Sequence, residues 1–278
     1  MSLQIQNTKT LIEPEKLKLK VLVYSLPGCG KTTWAGTAPN PGFAACETGH
    51  GNGLLSIADA GYDYVTPTSL SDFEAFAGGG IFKDKETLVL DSLSAMVKSF
   101  IKDFALAIPR KQGDSEKRRK GVPELDDYGV MGEITRRTLG RLIDCNPDKH
   151  IIVTATERYD KPDPENGQAE LIIGPDLPGQ MFLGSTAMFD IVLRLRTRPM
   201  LRDKNDAKSR YTERYFITQS DGKGTVAKCR NNVTLKPLLE QEEIFDPATG
   251  KGTFMDLLNK IRKGYIDSLK GKEVSNPA

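Results

Sequence analysis

This chain of 278 residues has little of the chemistry that holds metals or staples loops: four cysteines and two histidines. Cys29, Cys46, Cys145 and Cys229 form no C-x-x-C pair, and His50 and His150 stand alone, so neither a structural zinc site nor a disulfide framework is expected. No apolar run reaches membrane-spanning length. Residues 1–20 are polar and charged, without the apolar centre of a secretion signal, which predicts a cytoplasmic protein with no membrane partner. Net charge is only +2, so any surface for a polyanion must be local. Internal repeats and a clear linker are also missing, which predicts one domain over residues 1–278.

Against these absences stands one dense run. Val21-Leu22-Val23-Tyr24 is apolar and β-rich, and it stops at Ser25-Leu26-Pro27-Gly28-Cys29-Gly30-Lys31-Thr32-Thr33. A helix-compatible stretch follows. Strand, Gly-rich turn, Lys-Thr and helix in that order make a phosphate loop, the Walker A motif of ATP-binding proteins. Gly28 and Gly30 let backbone N–H groups approach phosphate oxygens where a Cβ would intrude. Lys31 brings a point charge for the β- and γ-phosphates, and the Thr32 hydroxyl is a hard oxygen suited to Mg²⁺. The helix start adds its positive end. Ser25 replaces the first Gly of the usual pattern, at the position farthest from the γ-phosphate. Cys29, beside Lys31 and the helix start, reads either as a redox-sensitive thiol or, more simply, as a small residue that fits the loop.

Strand and helix signals alternate through the first two thirds. Strands are expected at 17–24, 42–46, 87–91 and 150–155, and helices at 31–37, 92–108 and 128–145. A further helix opens on a capping box at Ser71-Asp72-Phe73-Glu74 and ends at Gly78-Gly79-Gly80. The strands are apolar without alternation, which points to a mostly parallel sheet covered on both faces. The last third changes: 191–196, 211–217 and 224–229 read as antiparallel strands, the last two joined near Ser220-Asp221-Gly222. Phe254, Leu258, Ile261, Tyr265 and Leu269 then recur at helical spacing, a stripe for packing on the body or for docking a partner. The core is expected over about 17–232, a C-terminal helical extension over about 233–270, and a disordered tail at 271–278. Two long polar stretches, 109–127 and 157–179, interrupt the alternation; loops of that length are usually functional or mobile.

Two carboxylates complete the chemistry. Thr87-Leu88-Val89-Leu90 delivers Asp91 to a strand end, where it can hold the magnesium shell; capping the next helix is the competing role. Phe43-Ala44-Ala45-Cys46 delivers Glu47 into a Gly-rich loop, where a carboxylate can orient and deprotonate water.

In this order, with Ile151-Ile152-Val153-Thr154-Ala155-Thr156-Glu157 as the next strand, the chain resembles the RecA-type ATPase core. More narrowly, it resembles phage nucleotide-binding proteins of the RecA-like branch of the Sak single-strand annealing proteins. The resemblance runs from about residue 17 to 232 and includes Ala227-Lys228-Cys229-Arg230. It implies ATP and Mg²⁺ as ligands, and single-stranded DNA as a partner in phage recombination or replication, in the host cytoplasm. It also implies a homo-oligomer with shared ATP sites, and it admits a single-strand binding protein as a further partner.

Residue by residue, the resemblance makes Glu47 the catalytic glutamate and puts the γ-phosphate sensor at Thr156 or Glu157, although the common Gln is absent. It makes Lys228 and Arg230 a strand-borne pair reaching a neighbouring subunit's γ-phosphate; a solvated edge strand is the plainer alternative. It matches the two long stretches to DNA-contacting loops. The first carries Arg110, Lys111, Lys117, Arg118, Arg119 and Lys120 against Asp114 and Glu116, six basic side chains less two acidic, a net +4. Any solvated loop can look the same. In the second, Tyr159 could stack on a base. RecA proper carries an N-terminal segment that docks on its neighbour; with about twenty residues before the first strand here, a RecA-style filament is not expected, and a ring or a short DNA-dependent assembly stays open. A helicase- or packaging-type motor, and a nucleotide-gated interaction protein with little turnover, are the other readings.

Overall fold

Apolar strands without alternation need cover on both faces, and the fold supplies it. The computed structural model describes residues 13, 16–47, 52–108, 121–162, 171–178, 181–203, 206–230 and 237–273. Its first half runs β1 (Lys20–Ser25), α1 (Lys31–Ala35), β2 (Pro41–Ala45), a 3-10 stretch (Asn52–Ala60), β3 (Tyr64–Val65), α2 (Leu70–Ala77) and β4 (Thr87–Asp91). Then come α3 (Leu93–Met96), a π-turn (Val97–Ile101), α4 (Lys102–Ala107) and α5 (Leu125–Asp144). The second half has β5 (His150–Asp160), β6 (Ile172–Pro175), α6 (Met181–Ala187), β7 (Ile191–Leu201), β8 (Arg210–Ile217), β9 (Glu242–Phe245) and α7 (Phe254–Glu273).

The strands form one nine-stranded sheet in the order β3-β2-β4-β5-β1-β7-β8-β9, with β6 attached to β5. From β3 to β7 every neighbour is parallel; β8 and β9 add antiparallel strands at one edge. This is an α/β core whose mostly parallel sheet follows its phosphate-loop strand, as expected, with antiparallel strands and a terminal helix in the last third. Alternate residues divide the core. Leu22, Tyr24, Leu88, Leu90, Ile151 and Val153 face α2, α3, α5 and α6, whereas Val21, Val23, Phe43, Val89 and Ile152 face α1 and α7.

Several expectations change. The capping box sits two residues earlier than expected: Ser69 is the N-cap and Asp72 its reciprocal partner. The Asp72 carboxylate takes the Thr68 and Ser69 N–H groups, which holds it below the usual carboxylate range. The expected 92–108 helix breaks at Ser99, whose ψ of −109° is not helical. α5 starts three residues before the expected 128, on a Glu124–Asp127 capping box.

The stretch 157–179 is not simply a loop. β5 runs on to Asp160 and pairs antiparallel with β6, Glu157 opposite Pro175. The expected strand 224–229 is replaced by two isolated bridges, Thr225 with Ile173 and Lys228 with Val192. β8 pairs with β7 only as far as Arg194 opposite Ile217, so Val192 is open to Lys228 there. The extension after 233 contributes β9 to the sheet. Phe254, Leu258 and Ile261 of α7 are buried in the core, so this stripe packs on the body. Of the expected tail, 271–273 belong to α7 and 274–278 lie outside the described residues.

Candidate active site

Parallel strands deliver their C-terminal ends to one side of a sheet, and ligands of such folds bind there. A cleft of about 480 Å³ opens at those ends, lined by Pro27, Gly28, Gly30, Lys31, Thr32 and Thr33 from the phosphate loop. Glu47 follows β2, Asp91 ends β4, and Thr156 lies on β5; all three face the same cleft, with Gly53, Ser56 and Arg214. Gly28 (φ +79°) and Gly30 (φ +102°) hold left-handed backbone that a Cβ would strain. Gly30 caps α1 with no side-chain hydrogen bond, so no side chain competes for the first N–H groups of that helix.

The substitution at the loop's start has a structural role. Buried Ser25 accepts from Lys31 Nζ at 3.2 Å through Oγ and at 3.3 Å through its carbonyl oxygen. The lysine is thereby parked against its own loop. Burial lowers its pKa below the ordinary lysine value, opposed by the charge of Asp91. Cys29 is buried, and its carbonyl oxygen accepts from Arg214 Nε at 3.1 Å.

Asp91 is gripped from two sides. Thr32 Oγ1 donates to its Oδ2 at 2.7 Å, and buried Thr154, one turn of pleat below Thr156, donates to its Oδ1. Hard oxygens from Thr32 and Asp91 beside a phosphate loop fit Mg²⁺, which favours such ligands and keeps several waters. Ser92, not Asp91, caps the following helix, accepting from Ala95 N at 3.3 Å. Ser92 Oγ also lies 3.4 Å from Glu47 Oε1. Burial and the Asp91 charge raise the Glu47 carboxyl above its ordinary value, while Lys31 and the Ser92 hydroxyl pull it back. Gly53 backs Glu47 closely: a Cβ there would lie 2.9 Å from Oε2.

The other expected residues lie elsewhere. Thr156, but not Glu157, reaches the cleft, because alternate strand residues point to opposite faces. Glu157 is buried in a two-pronged ion pair with Arg194, both contacts 2.9 Å, and Tyr159 lies 3.2 Å from the same arginine. Thr156 Oγ1 instead lies 3.4 Å from Asp176. Lys228 and Arg230 are not in this cleft. Arg230 pairs with Asp190, which binds the Lys20 N–H at the start of β1, the end opposite the phosphate loop. Arg110, Lys111 and Lys117 to Lys120 lie outside the described residues.

Sequence reasoning missed Arg214, Gly53, Ser56, Ser92 as a partner of Glu47, and Thr154. A lone Thr inside Ile151-Ile152-Val153-Thr154-Ala155 was a usable signal, since a buried hydroxyl needs a partner. Arg214 had none, being 185 residues from the carbonyl it binds.

No curated protein is a match. The fold is similar to a KaiC-like protein, PH0186, from Pyrococcus horikoshii OT3: 14% identity, 82% of this chain and 85% of that one, TM-score 0.44. It is also similar to the flagellar accessory protein FlaH from Methanocaldococcus jannaschii: 10% identity, 82% and 84% coverage, TM-score 0.38. No helix among the described residues is long and apolar enough to cross a membrane. A family model described as an AAA domain, AAA_24, matches residues 17–231, which takes in the phosphate loop, Glu47, Asp91 and Thr156; the chain belongs to this family of ATPase-type NTPases.

Proposed function

We propose that the protein binds and hydrolyses ATP with Mg²⁺ and acts on single-stranded DNA in phage recombination or replication, as an annealing or strand-exchange type protein. The observation that carries the reading is the convergence of Lys31, Thr32, Glu47, Asp91 and Thr156 on one cleft. Lys31 leaves Ser25 to hold the β- and γ-phosphates, a charge-assisted contact. Thr32 and Asp91 would hold Mg²⁺, which when bound offsets phosphate charge. Glu47 takes a proton from water as its oxygen bonds to the γ-phosphorus; the bond to the bridging β,γ-oxygen breaks, and ADP leaves with that electron pair. Thr156, which lines the cleft from β5, would leave Asp176 to read the γ-phosphate.

The substrate half of the proposal draws on the resemblance to the Sak branch and on the basic 110–120 segment. Oligomerisation draws on Arg230, which can meet a nucleotide only in another copy if it leaves Asp190. The test is ATP turnover with and without single-stranded DNA, over a range of protein concentrations. Stimulation by DNA, with specific activity rising with concentration, is expected. Turnover indifferent to both would reject the DNA and shared-site parts and leave an ATPase of another purpose.

A further inference from the structure

We infer that Arg214 is a nucleotide-binding residue of this cleft, holding the α- and β-phosphates in cis from the side opposite the carboxylates. The inference rests on the ATP-binding reading above. In the sheet, β4 with Asp91 lies two strands from β1 on one side, and β8 with Arg214 lies two strands away on the other. The phosphate loop after β1 is therefore flanked by acid on one side and by base on the other.

β8 is paired on both edges, Arg214 opposite Thr197 of β7 and opposite Phe245 of β9, so the arginine stands on a rigid strand. β7 and β8 continue past the end of β1: Tyr24 is level with Arg194, and Thr197 is three residues farther on. Arg214 thus overhangs the loop. Its Nε donates to the Cys29 carbonyl oxygen at 3.1 Å, and a Cβ on Gly30 would sit 3.2 Å from that nitrogen. The guanidinium lies close over Gly30, where any Cβ would push it aside by a few tenths of an ångström.

Two neighbouring arginines of this edge are spent on carboxylates: Arg194 on Glu157, Arg198 on Glu213 and Glu242. Arg214 has no carboxylate partner among the described residues, and it lines the cleft with Lys31. One guanidinium nitrogen is used to anchor it on the loop, and the two terminal ones remain for planar recognition of oxyanions. Phosphate is the oxyanion this loop accommodates. The position away from Glu47 and Asp91 assigns the contact to the non-transferred phosphates.

The test is calorimetric binding of ADP, of a non-hydrolysable ATP analogue and of inorganic tripolyphosphate to wild type, Arg214→Ala, Arg214→Lys and Lys31→Ala, each checked for an unchanged melting temperature. Arg214→Ala should weaken all three ligands by a similar factor, about ten- to a hundredfold. Arg214→Lys should recover only part of this, because an ammonium cannot bind Cys29 and phosphate as a fork. Loss confined to the ATP analogue would overturn the inference by moving the contact to the γ-phosphate. Loss for the nucleotides but not tripolyphosphate would overturn it by moving the contact to ribose or base. Wild-type binding by Arg214→Ala while Lys31→Ala is impaired would overturn it and spare the ATP-binding reading. Wild-type binding by both variants would overturn both.

Discussion

The Thr32 hydroxyl donates to Asp91 Oδ2 at 2.7 Å across 59 residues of sequence. That bond joins the first turn of α1 to the tip of β4 and so holds the phosphate-binding and carboxylate halves of the cleft in register. Thr154 holds the other oxygen of the same carboxylate from β5. Positioning of this kind, supplied by a helix start and two strands, is what phosphoryl transfer needs from a protein.

Gly53 sets the position of Glu47. Gly53→Ala would press a methyl group to 2.9 Å from Glu47 Oε2, so the carboxylate must move. Turnover should fall about tenfold or more while ATP affinity stays within about twofold, since misplacement of a reacting group by about 1 Å can cost that much or more. Steady-state turnover and equilibrium binding on the same preparation check it.

Glu157 is predicted to matter for stability and not for hydrolysis. Its ion pair with Arg194 is almost fully buried, the side chains 2% and 3% exposed. Glu157→Gln leaves a buried guanidinium without its counter-charge and should cost on the order of 3 kcal/mol. Urea unfolding should show the loss, with KM for ATP unchanged. A stable variant with impaired turnover would return Glu157 to a sensor role.

Arg230 gives the test of shared sites. Arg230→Ala should bind ATP but hydrolyse it poorly, since a trans-acting arginine contributes on the order of a thousandfold in rate. Mixed with Lys31→Ala, it should recover activity, because each copy supplies what the other lacks. Mixtures that exchange subunits yet stay inactive at every ratio would assign Arg230 to its pair with Asp190 alone.

His150 makes stability depend on pH. It is buried, its Nδ1 accepts the Leu19 N–H at 3.1 Å, and burial pushes its pKa down to about 3. The unfolded chain takes up the proton first as pH falls. The contribution is therefore complete above about 6.5 and is lost progressively down to about 3, with a slope of about 1.4 kcal/mol per pH unit. His150→Asn, which keeps an acceptor near Nδ1, should flatten that slope. Urea midpoints at pH 7 and pH 5 measure it, and parallel pH dependence of the two proteins would contradict it.

The parallel core was legible because its signals are local. Runs such as Thr87-Leu88-Val89-Leu90-Asp91 declare both a buried strand and the carboxylate at its end. The phosphate loop was legible for the same reason. What escaped was set by distant pairing. Residues 224–229 look like a strand, yet Lys228 finds only the free edge at Val192. β5 continues beyond Ala155 because β6 offers it a partner, and that continuation turns Glu157 away from the cleft beside Thr156. Arg214 reaches the loop only through the lengths of β7 and β8 beyond β1.

The most direct measurement is single-turnover hydrolysis of bound ATP by wild type and Glu47→Gln, at protein concentrations that saturate binding in both. The account predicts equal ATP binding and near-complete loss of the chemical step in the variant. It also predicts an acidic limb in the wild-type pH profile above the ordinary glutamate range, because burial and Asp91 raise the Glu47 pKa and the base must be ionised to accept a proton. Hydrolysis by Glu47→Gln at the wild-type rate, with the same pH profile, would contradict it.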